Sequence, residues 1–492
     1  MRILFVVADL FFSEPLGVML LGAIARQYGH QPRLLALTRH RLTDTLREFD
    51  PDVVAYSAMT PDEHLFVQAD AVVRRHQQWR GRRVFRIMGG AHATFFPEVL
   101  GKLDLDAVCI GEGDLLLPRL LAALENDRPL DGIPNLLLPG QTDCVKELPQ
   151  NLDAIPFPDR TLLYQADPDL QAQGIRSFLS QRGCPHRCTY CFNHAYNMLF
   201  KGPGNKLLRR RSVDNLIEEL KEVKERFPTM RFVRFADDVF VLRQDAWLEE
   251  FAQRYPREVG VPFYCLIRCN SLTDEVGRIL SQAGCRSISM SIESGSEEVR
   301  NKVLHRKMND DMVRGAFAIA RKYRLNAYAN TILGIPGTTL EDDYRSFLFA
   351  REVAPAFPTF TIFSPFPKTA LTNHAIAIGA LDPQIDYATI TSFESSSLTG
   401  YSPQEKRRQT NLLYLSQIFC FMPDVVLKGL PWLLSLPLSR FYRLLYSLSF
   451  TWLASSRIFP GAGPRDVRSI VKAVARAIKA VYFPNDKRQI LE

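Results

Sequence analysis

Two successive series of short apolar runs and amphipathic stretches constrain the fold of this 492-residue chain more than any other feature. In residues 1–130, four apolar runs are separated by stretches with helical periodicity, such as Leu16–Tyr28 and Phe66–Gln78. The runs are continuous rather than alternating, as expected of strands buried on both faces of a parallel sheet. This pattern predicts an α/β fold with a doubly wound, Rossmann-like sheet and a ligand at the carboxyl ends of its strands. The predicted strands are Ile3–Val7, Val53–Met59, Val84–Met88 and Ala107–Ile110.

The second series begins at Gly174 and contains six apolar runs, most of them separated by helical patterns. Six β/α units predict a partial, TIM-like (β/α)6 barrel, with function on the loops that follow the strands. Residues 131–172 show little periodicity and many Pro and Asp, which predicts a linker. The predicted domains are therefore 1–130, a linker at 131–172, a barrel at 173–385 and a helical region at 386–492. The barrel strands are predicted at Ile175–Ser180, Phe232–Phe235, Phe263–Ile267, Ser287–Ile292, Ala327–Leu333 and Thr359–Phe363.

The helical C-terminal region carries the positive charge of the chain. Residues 401–492 contain 14 Lys and Arg against 5 Asp and Glu, and the whole chain has a net charge of +8. Its uncharged stretch Thr410–Pro423 has 14 residues, whereas a bilayer span needs about 20, so no transmembrane helix is predicted. Basic residues mixed with Trp432, Phe441 and Leu445 suit an anionic membrane surface better than nucleic acid. The region is predicted either to cap the barrel or to rest on a membrane. Its predicted helices are Leu412–Phe421, Val425–Leu436 (interrupted at Pro431), Arg440–Ala454 and Arg465–Tyr482.

The cysteines point to metal or redox chemistry. The N-terminal sequence MRILFVVAD lacks the apolar core and cleavage site of a signal peptide, so we expect a cytoplasmic protein, either free or peripheral at the membrane. Nine cysteines in such a chain favour metal binding over disulfides. Cys184, Cys188 and Cys191 follow the first barrel strand with the spacing C-x3-C-x2-C. Three such thiolates can hold a [4Fe–4S] cluster and leave its fourth iron free for a small molecule. The alternative is a structural zinc site with His194 as fourth ligand.

This loop resembles the signature of the radical S-adenosylmethionine (SAM) superfamily, with Tyr190 as its aromatic residue. The resemblance covers about residues 174–385 and supplies one segment at each strand end. It implies that a cluster on the three cysteines cleaves SAM reductively to a 5′-deoxyadenosyl radical, with no further catalytic side chain assigned. It also implies SAM contacts from Tyr190 and Phe192 in the loop, Asp237 and Asp238 (amino group), Arg268 (carboxylate), Glu293 (ribose), and Gly334 and Gly337 (adenine).

Residues 1 to about 130 resemble the cobalamin-binding domain that precedes such barrels. The family pattern is D-x-H-x-x-G, then S-x-L, then Gly-Gly, and the loop Ile110–Asp114 is also of the family type. Glu14 stands where the family has its cobalt-ligating His, which implies bound cobalamin with its own base displaced and no histidine on cobalt. The alternative is a domain that has lost cobalamin and persists as a scaffold. The matching residues implied to contact cobalamin are Glu14, Gly17, Ser57, Met59, Gly89 and Gly90.

Together, these resemblances imply a cobalamin-dependent radical SAM enzyme. The leading hypothesis is a methyltransferase that acts on an unactivated carbon or phosphorus centre of a small or lipid-like molecule. It would draw electrons from a flavodoxin- or ferredoxin-type donor, with no nucleic-acid partner. A ring-forming or rearrangement enzyme is the rival within the superfamily, and a non-catalytic corrinoid or Fe–S sensor is the alternative from another class.

Overall fold

The first sheet confirms the predicted doubly wound fold. The computed structural model describes residues 1–10, 14–387 and 394–462. Six strands lie in the order β2-β1-β3-β4-β5-β6, and all pairs are parallel except β5–β6. The strands are β1 (Arg2–Val7), β2 (Gln31–Ala36), β3 (Val53–Ser57), β4 (Phe85–Gly89), β5 (Ala107–Cys109) and β6 (Leu136–Leu137).

Helices cover both faces of this sheet, because successive side chains of a strand point to opposite faces. Ile3 and Phe5 of β1 pack into one buried cluster with α1, whereas Leu4 and Val6 pack into another with α2 and α3. The helices are α1 (Leu16–Gln27), α2 (Leu42–Phe49), α3 (Glu63–Arg80), α4 (Gly90–Phe95), α5 (Val99–Lys102), α6 (Leu116–Glu125), α7 (Arg160–Ala166) and α8 (Pro168–Gln171).

Strand β2 was not predicted from the sequence. It begins with Gln31, Pro32 and Arg33, which hide the apolar run Leu34–Ala36. Pro32 is tolerated because β2 lies at the edge of the sheet and one side of its backbone needs no partner.

The segment predicted to be a linker, residues 131–172, is instead packed structure. It contributes β6 and the helices α7 and α8, and α7 contacts both β2 and α1. Arg160 at the start of α7 is buried, and it donates to Glu219 Oε1 at 3.0 Å and to Ser177 O at 2.6 Å. These polar anchors follow no periodic pattern, so periodicity alone does not reveal them.

The second sheet is the expected partial barrel. Its six strands are all parallel and lie in the order β14-β13-β12-β11-β10-β7, which leaves β14 and β7 as edges. A short antiparallel ribbon, β8–β9, stands beside it. The strands are β7 (Ile175–Phe178), β8 (Gln181–Arg182), β9 (Arg209–Arg210), β10 (Phe232–Phe235), β11 (Phe263–Leu266), β12 (Cys285–Ser289), β13 (Asn326–Leu333) and β14 (Phe357–Ile362).

Side-chain caps begin most helices of this region. Ser212 accepts from Asn215 N–H at the start of α10, and Thr339 and Asp342 form a capping box at the start of α14. The helices are α9 (Phe192–Phe200), α10 (Val213–Arg226), α11 (Ala246–Glu258), α12 (Asp274–Gln282), α13 (Asp310–Lys322), α14 (Leu340–Val353) and α15 (Ala370–Ala377).

The C-terminal helices cover the β14 edge of the barrel. Gln417 of α16 donates to Pro358 O, and α16 also packs along α19. The predicted helix Val425–Leu436 is two short helices, α17 and α18, and Arg465–Tyr482 lies outside the described residues. Among the described helices, none has the length and apolar character that a membrane crossing requires. The helices are α16 (Pro403–Phe419), α17 (Asp424–Leu427), α18 (Leu430–Ser435) and α19 (Ser439–Leu453).

Candidate cofactor site

The three-cysteine loop leaves β8 and runs into α9, at the carboxyl end of β7. Thr189, in the middle of the loop, is anchored to the barrel on both sides. Its backbone N–H donates to Leu304 O, its hydroxyl donates to Val303 O at 2.7 Å, and its carbonyl accepts from Leu371 N–H. The loop is therefore held in place by the barrel rather than by the cysteines themselves.

The thiols lie in an environment that suits a bound cluster. Backbone N–H groups of His186 and Asn193 donate to the sulfurs of Cys184 and Cys191. Burial raises the pKa of the Cys184 thiol and raises that of Cys191 to about 12, so binding to iron must displace a proton. Within the described residues, no three His, Cys, Asp or Glu side chains could hold a single metal ion. The thiolates of a cubane bind different irons and need not converge on one point, so these residues fit a [4Fe–4S] cluster.

Arg268 lies directly against the cysteine loop. Its Nη1 is 3.1 Å from Cys188 Sγ, its Nη2 donates to Arg306 O at 2.5 Å, and its Nε donates to Asn270 Oδ1 at 3.2 Å. The predicted SAM-carboxylate residue is thus placed directly beside the sulfur of Cys188, one of the three loop cysteines.

Tyr190 and Glu293, both predicted from the sequence, lie in direct contact. The Tyr190 hydroxyl donates to Glu293 Oε1 at 2.6 Å, and Arg306 Nη1 donates to the Tyr190 oxygen at 2.9 Å. Arg306 is buried, lies 3.6 Å from Glu293 Oε1, and donates to Ser291 O. Sequence reasoning missed Arg306, because this residue belongs to no motif. Its neighbours His305 and Lys307 have left-handed backbone conformations, and this local path of the chain brings Arg306 to the site.

The two adjacent aspartates after β10 are separated by the structure. Asp237 is buried and accepts from the Ser180 and Gln181 N–H groups at 2.8 and 2.7 Å, and from the Ser180 hydroxyl. Burial outweighs these hydrogen bonds and raises the pKa of Asp237 to about 7. Asp238 is exposed and faces a large cavity between the loops of the two sheets, and its charge acts on the Cys184 and Cys191 thiols. Only Asp238 is therefore free to meet a ligand there.

The cavity has a volume of about 580 Å³ and is lined by both sheets' loops. Three of the predicted N-terminal residues line it, namely Gly17, Ser57 and Gly90. On the barrel side it is lined by Gly183 and Asn193, which flank the cysteine loop, together with Asp238. The structure thus brings the predicted cobalamin and SAM regions to one shared space.

Glycines make part of this space. Gly17 has no atom within 4 Å of the position that a Cβ would take, so the cavity beside it is open. Gly90 has φ +90°, and a Cβ there would lie 2.8 Å from Ala58 O. Gly90 is thus required by its packing against Ala58. Bare backbone at Gly17 allows the close approach that a large nucleotide-bearing cofactor needs, so this side of the cavity fits cobalamin.

Several predicted residues lie outside the cavity. The Glu14 carboxylate accepts from Ser177 N–H of β7 at 2.5 Å, so it ties the first domain to the barrel instead of facing the cavity. Met59 is 57% exposed, and Gly89 ends β4 with its Cβ position against Cys109. The reason is that spacing along a chain does not determine the direction of a side chain.

The remaining predicted residues shape loops around the site. Gly334 and Gly337 turn the chain after β13 with φ of 63° and 84°, and Gly334 N–H donates to Asp343 Oδ1 at 2.7 Å. Neither glycine lines the large cavity. Phe192 packs between Phe95 of the first domain and Phe366 of the barrel, with ring centroids 4.7 and 4.8 Å away.

Comparison with known proteins agrees with this arrangement. Residues 4–121 match the B12 binding domain, and residues 178–349 match the Radical SAM superfamily. An uncharacterized methyltransferase of Pyrococcus horikoshii is 26% identical over 434 residues, which cover 85% of this chain and 90% of the relative. Cytidylyl-2-hydroxyethylphosphonate methyltransferase of Streptomyces wedmorensis is 24% identical over 446 residues, with 76% and 79% covered.

A solved structure shares the complete fold. It is that of the radical SAM methyltransferase TsrM from Kitasatospora setae with cobalamin and a [4Fe–4S] cluster bound. The two chains are 16% identical and superpose with a TM-score of 0.65 over 97% of this chain and 99% of the other. At this identity the match concerns the fold.

Proposed function

Because this chain belongs to the cobalamin-binding radical SAM enzymes, we propose that it methylates an unactivated carbon or phosphorus centre of a small molecule. Its cofactors are a [4Fe–4S] cluster, SAM and cobalamin. When bound, the cluster supplies the electron that cleaves SAM, and cobalamin supplies a carrier for the methyl group.

The observation that carries the proposal is a cavity of about 580 Å³ that residues of both domains line. A methyl carrier must reach the methyl donor in one half-reaction and the acceptor in the other. The cavity joins Gly17, Ser57 and Gly90 to Asp238 and to the residues that flank the cysteine loop. The two relatives described above also carry methyltransferase names.

The chain's own residues would bind and orient the reactants. Cys184, Cys188 and Cys191 would hold the cluster, and Asp238 would pair with the amino group of SAM. Glu293, fixed by Tyr190, would accept hydrogen bonds from the ribose. The rings packed on either side of Phe192 would exclude water between the two domains, which strengthens these polar contacts.

The test needs no knowledge of the acceptor. The protein is reconstituted anaerobically with iron, sulfide and corrinoid, and is then given SAM with a deuterated methyl group and a reductant. We expect S-adenosylhomocysteine together with transfer of the labelled methyl to the bound corrinoid. 5′-Deoxyadenosine without S-adenosylhomocysteine would favour rearrangement, and no SAM cleavage with a full cluster would favour a sensor. A flavodoxin- or ferredoxin-type protein is the proposed electron donor. When this protein and every other reductant are left out, SAM cleavage should stop.

We also propose that the C-terminal helices contact an anionic membrane surface. Helix α19 is apolar on two faces: Tyr442 and Leu453 are buried, while Phe441, Leu448 and Trp452 are 50%, 38% and 62% exposed. The spacings of seven and four residues between the exposed three place them on one side of the helix. An apolar helix face that is exposed to solvent indicates an interaction site.

Positive charge lies at one end of this face. Arg321, Arg324, Arg457 and Phe421 line a cleft of about 420 Å³, and no Asp or Glu is among its described lining residues. The contacts Asn411–Ser439 and Gln417–Ser449 show that α16 and α19 run side by side in the same direction. Phe421 and Trp452 therefore lie at the same end. Aromatic, leucine and arginine side chains in this combination suit the headgroup region of an anionic bilayer.

Vesicle sedimentation tests this contact. The wild-type chain should sediment with vesicles that contain phosphatidylglycerol, less with phosphatidylcholine alone, and less at high salt. Trp452→Ser should weaken sedimentation, whereas Trp79→Ser, at an exposed tryptophan on the first domain, should leave it unchanged. Equal effects of the two substitutions, or no sedimentation of the wild type, would exclude the contact.

A further inference from the structure

We propose that an ion-pair latch between the two domains sets the separation of the two cofactor sites, an inference that rests on the proposed function. The latch consists of Glu112 and Asp114 from the loop after β5, and Arg182 and Arg209 from the β8–β9 ribbon. No sequence motif assigns a role to any of these four side chains, although the loop Ile110–Asp114 itself is of the family type.

The latch is built from two-point contacts. Glu112 accepts from Arg209 Nη1 and Nη2 at 2.9 and 2.6 Å, and from Arg182 Nη1 at 2.6 Å. Asp114 accepts from Arg182 Nη1 and Nη2, both at 2.9 Å. Two hydrogen bonds between a planar guanidinium and a carboxylate fix orientation as well as distance. The contact therefore restricts rotation of one domain against the other.

The latch is largely removed from water and is balanced in charge. Arg209 is 1% exposed in its side chain, Asp114 is buried, and the other two are half-buried. Burial acts to raise the pKa of Glu112, but the hydrogen bond of Arg209 and the charge of Arg182 lower it below its usual value. The Glu112 carboxylate is thus ionised near neutral pH, which makes its attraction to the two arginines persistent.

The latch grips the base of the cysteine loop. Arg182 and Arg209 are paired in register, and the chain between them contains all three cysteines and α9. Gly183 separates Arg182 from Cys184; a Cβ on Gly183 would lie 2.0 Å from Leu207 O, so no larger residue fits there. A shift of Arg182 would consequently move Cys184.

The other end of the latch is equally tight. A Cβ on Gly111 would lie 2.2 Å from Phe200 of α9, so the loop of the first domain touches the helix that follows the cysteines. Glu112, Asp114, Arg182 and Arg209 also line the shared cavity. Because each side of the latch is anchored beside one cofactor region, the latch fixes how far apart those regions stand. These four are positioning residues.

The experiment measures that separation rather than turnover. The full chain, reconstituted with cluster and corrinoid, is reduced so that both metal centres are paramagnetic, and the magnetic coupling between them is read by electron paramagnetic resonance. Glu112→Gln keeps the shape of the side chain but removes its charge. We expect unchanged iron and corrinoid content. The magnetic coupling between the two centres should be weaker and more widely distributed, because it falls steeply with the distance between them.

The matched control is Asp70→Asn. Asp70 accepts from Arg86 at 3.1 and 3.0 Å in a buried pair that lies wholly inside the first domain. The Asp70→Asn substitution should lower the stability of the protein about as much as Glu112→Gln does, and it should leave the magnetic coupling unchanged. If Glu112→Gln does not fold, Asp114→Asn gives the same comparison, because the Glu112–Arg209 pair stays in place.

The outcomes separate the latch from the proposed function. An unchanged coupling in the folded Glu112→Gln variant, or an equal change in Asp70→Asn, overturns the latch and leaves methyl transfer standing. A wild-type chain that binds no corrinoid overturns both. A coupling that changes only in the latch variants supports the latch, whichever products are found from SAM.

Discussion

Glu219 holds two buried arginines, and its neutralisation gives a quantitative test of how the segment before the barrel is anchored. Its Oε1 accepts from Arg160 at 3.0 Å, and its Oε2 accepts from Arg211. All three side chains are buried. Glu219→Gln keeps the volume but leaves two guanidinium charges without a carboxylate.

The size of the destabilisation depends on the contacts that the two arginines retain. Removal of one partner from a buried ion pair costs about 3–5 kcal/mol. Arg160 retains Ser177 O at 2.6 Å and the Phe178 ring, and Arg211 retains Leu179 O at 3.1 Å. These remaining contacts favour the lower end, about 3 kcal/mol, which corresponds to a factor on the order of 100 in an opening equilibrium.

Hydrogen exchange over α7 is the assay, because a chain of several domains has no single unfolding free energy. Amides of residues 160–166 should exchange on the order of 100 times faster in Glu219→Gln. The control, Glu298→Gln, breaks the exposed pair with Lys302 and should change exchange by less than about twofold. Exchange over α7 that rises by less than about fivefold in Glu219→Gln would refute the anchoring role, since that is about 1 kcal/mol.

Three further predictions concern the candidate site. Cys188→Ala should abolish iron binding and the brown colour after anaerobic reconstitution, while far-ultraviolet circular dichroism stays unchanged; retained full iron content would contradict the cluster assignment. Gly90→Ala should lower the melting temperature, because its Cβ would lie 2.8 Å from Ala58 O at φ +90°, whereas Gly17→Ala should keep the melting temperature and weaken corrinoid retention, since its methyl enters the open cavity. Burial raises the pKa of Asp237 to about 7, so the native state keeps a proton that the unfolded chain loses near pH 4. The stability of the protein should therefore fall as the pH rises from about 4 to 7, and melting curves of Asp237→Asn should lack this part of the fall.

Local patterns allowed much of this protein to be predicted from its sequence. The continuous apolar runs marked both parallel sheets, since strands buried on two faces need apolar side chains at successive positions. The spacing of Cys184, Cys188 and Cys191 pointed to the cluster because all three ligands lie on one loop, so no distant part of the chain is needed to bring them together. Strand β2 was not predicted, because its first residues are polar and its apolar run is short.

Contacts between distant residues were decided only by the tertiary structure. Arg306 joins Tyr190 and Glu293, Asp237 turns into the backbone while Asp238 faces the cavity, and Glu14 binds β7. The latch from Glu112 to Arg209 spans 97 residues of sequence. The direction of a side chain and the meeting of distant loops depend on how whole elements pack. No pattern within a few residues encodes that packing, and for this reason the sequence determined the two domains and the cluster loop but not the geometry that joins them.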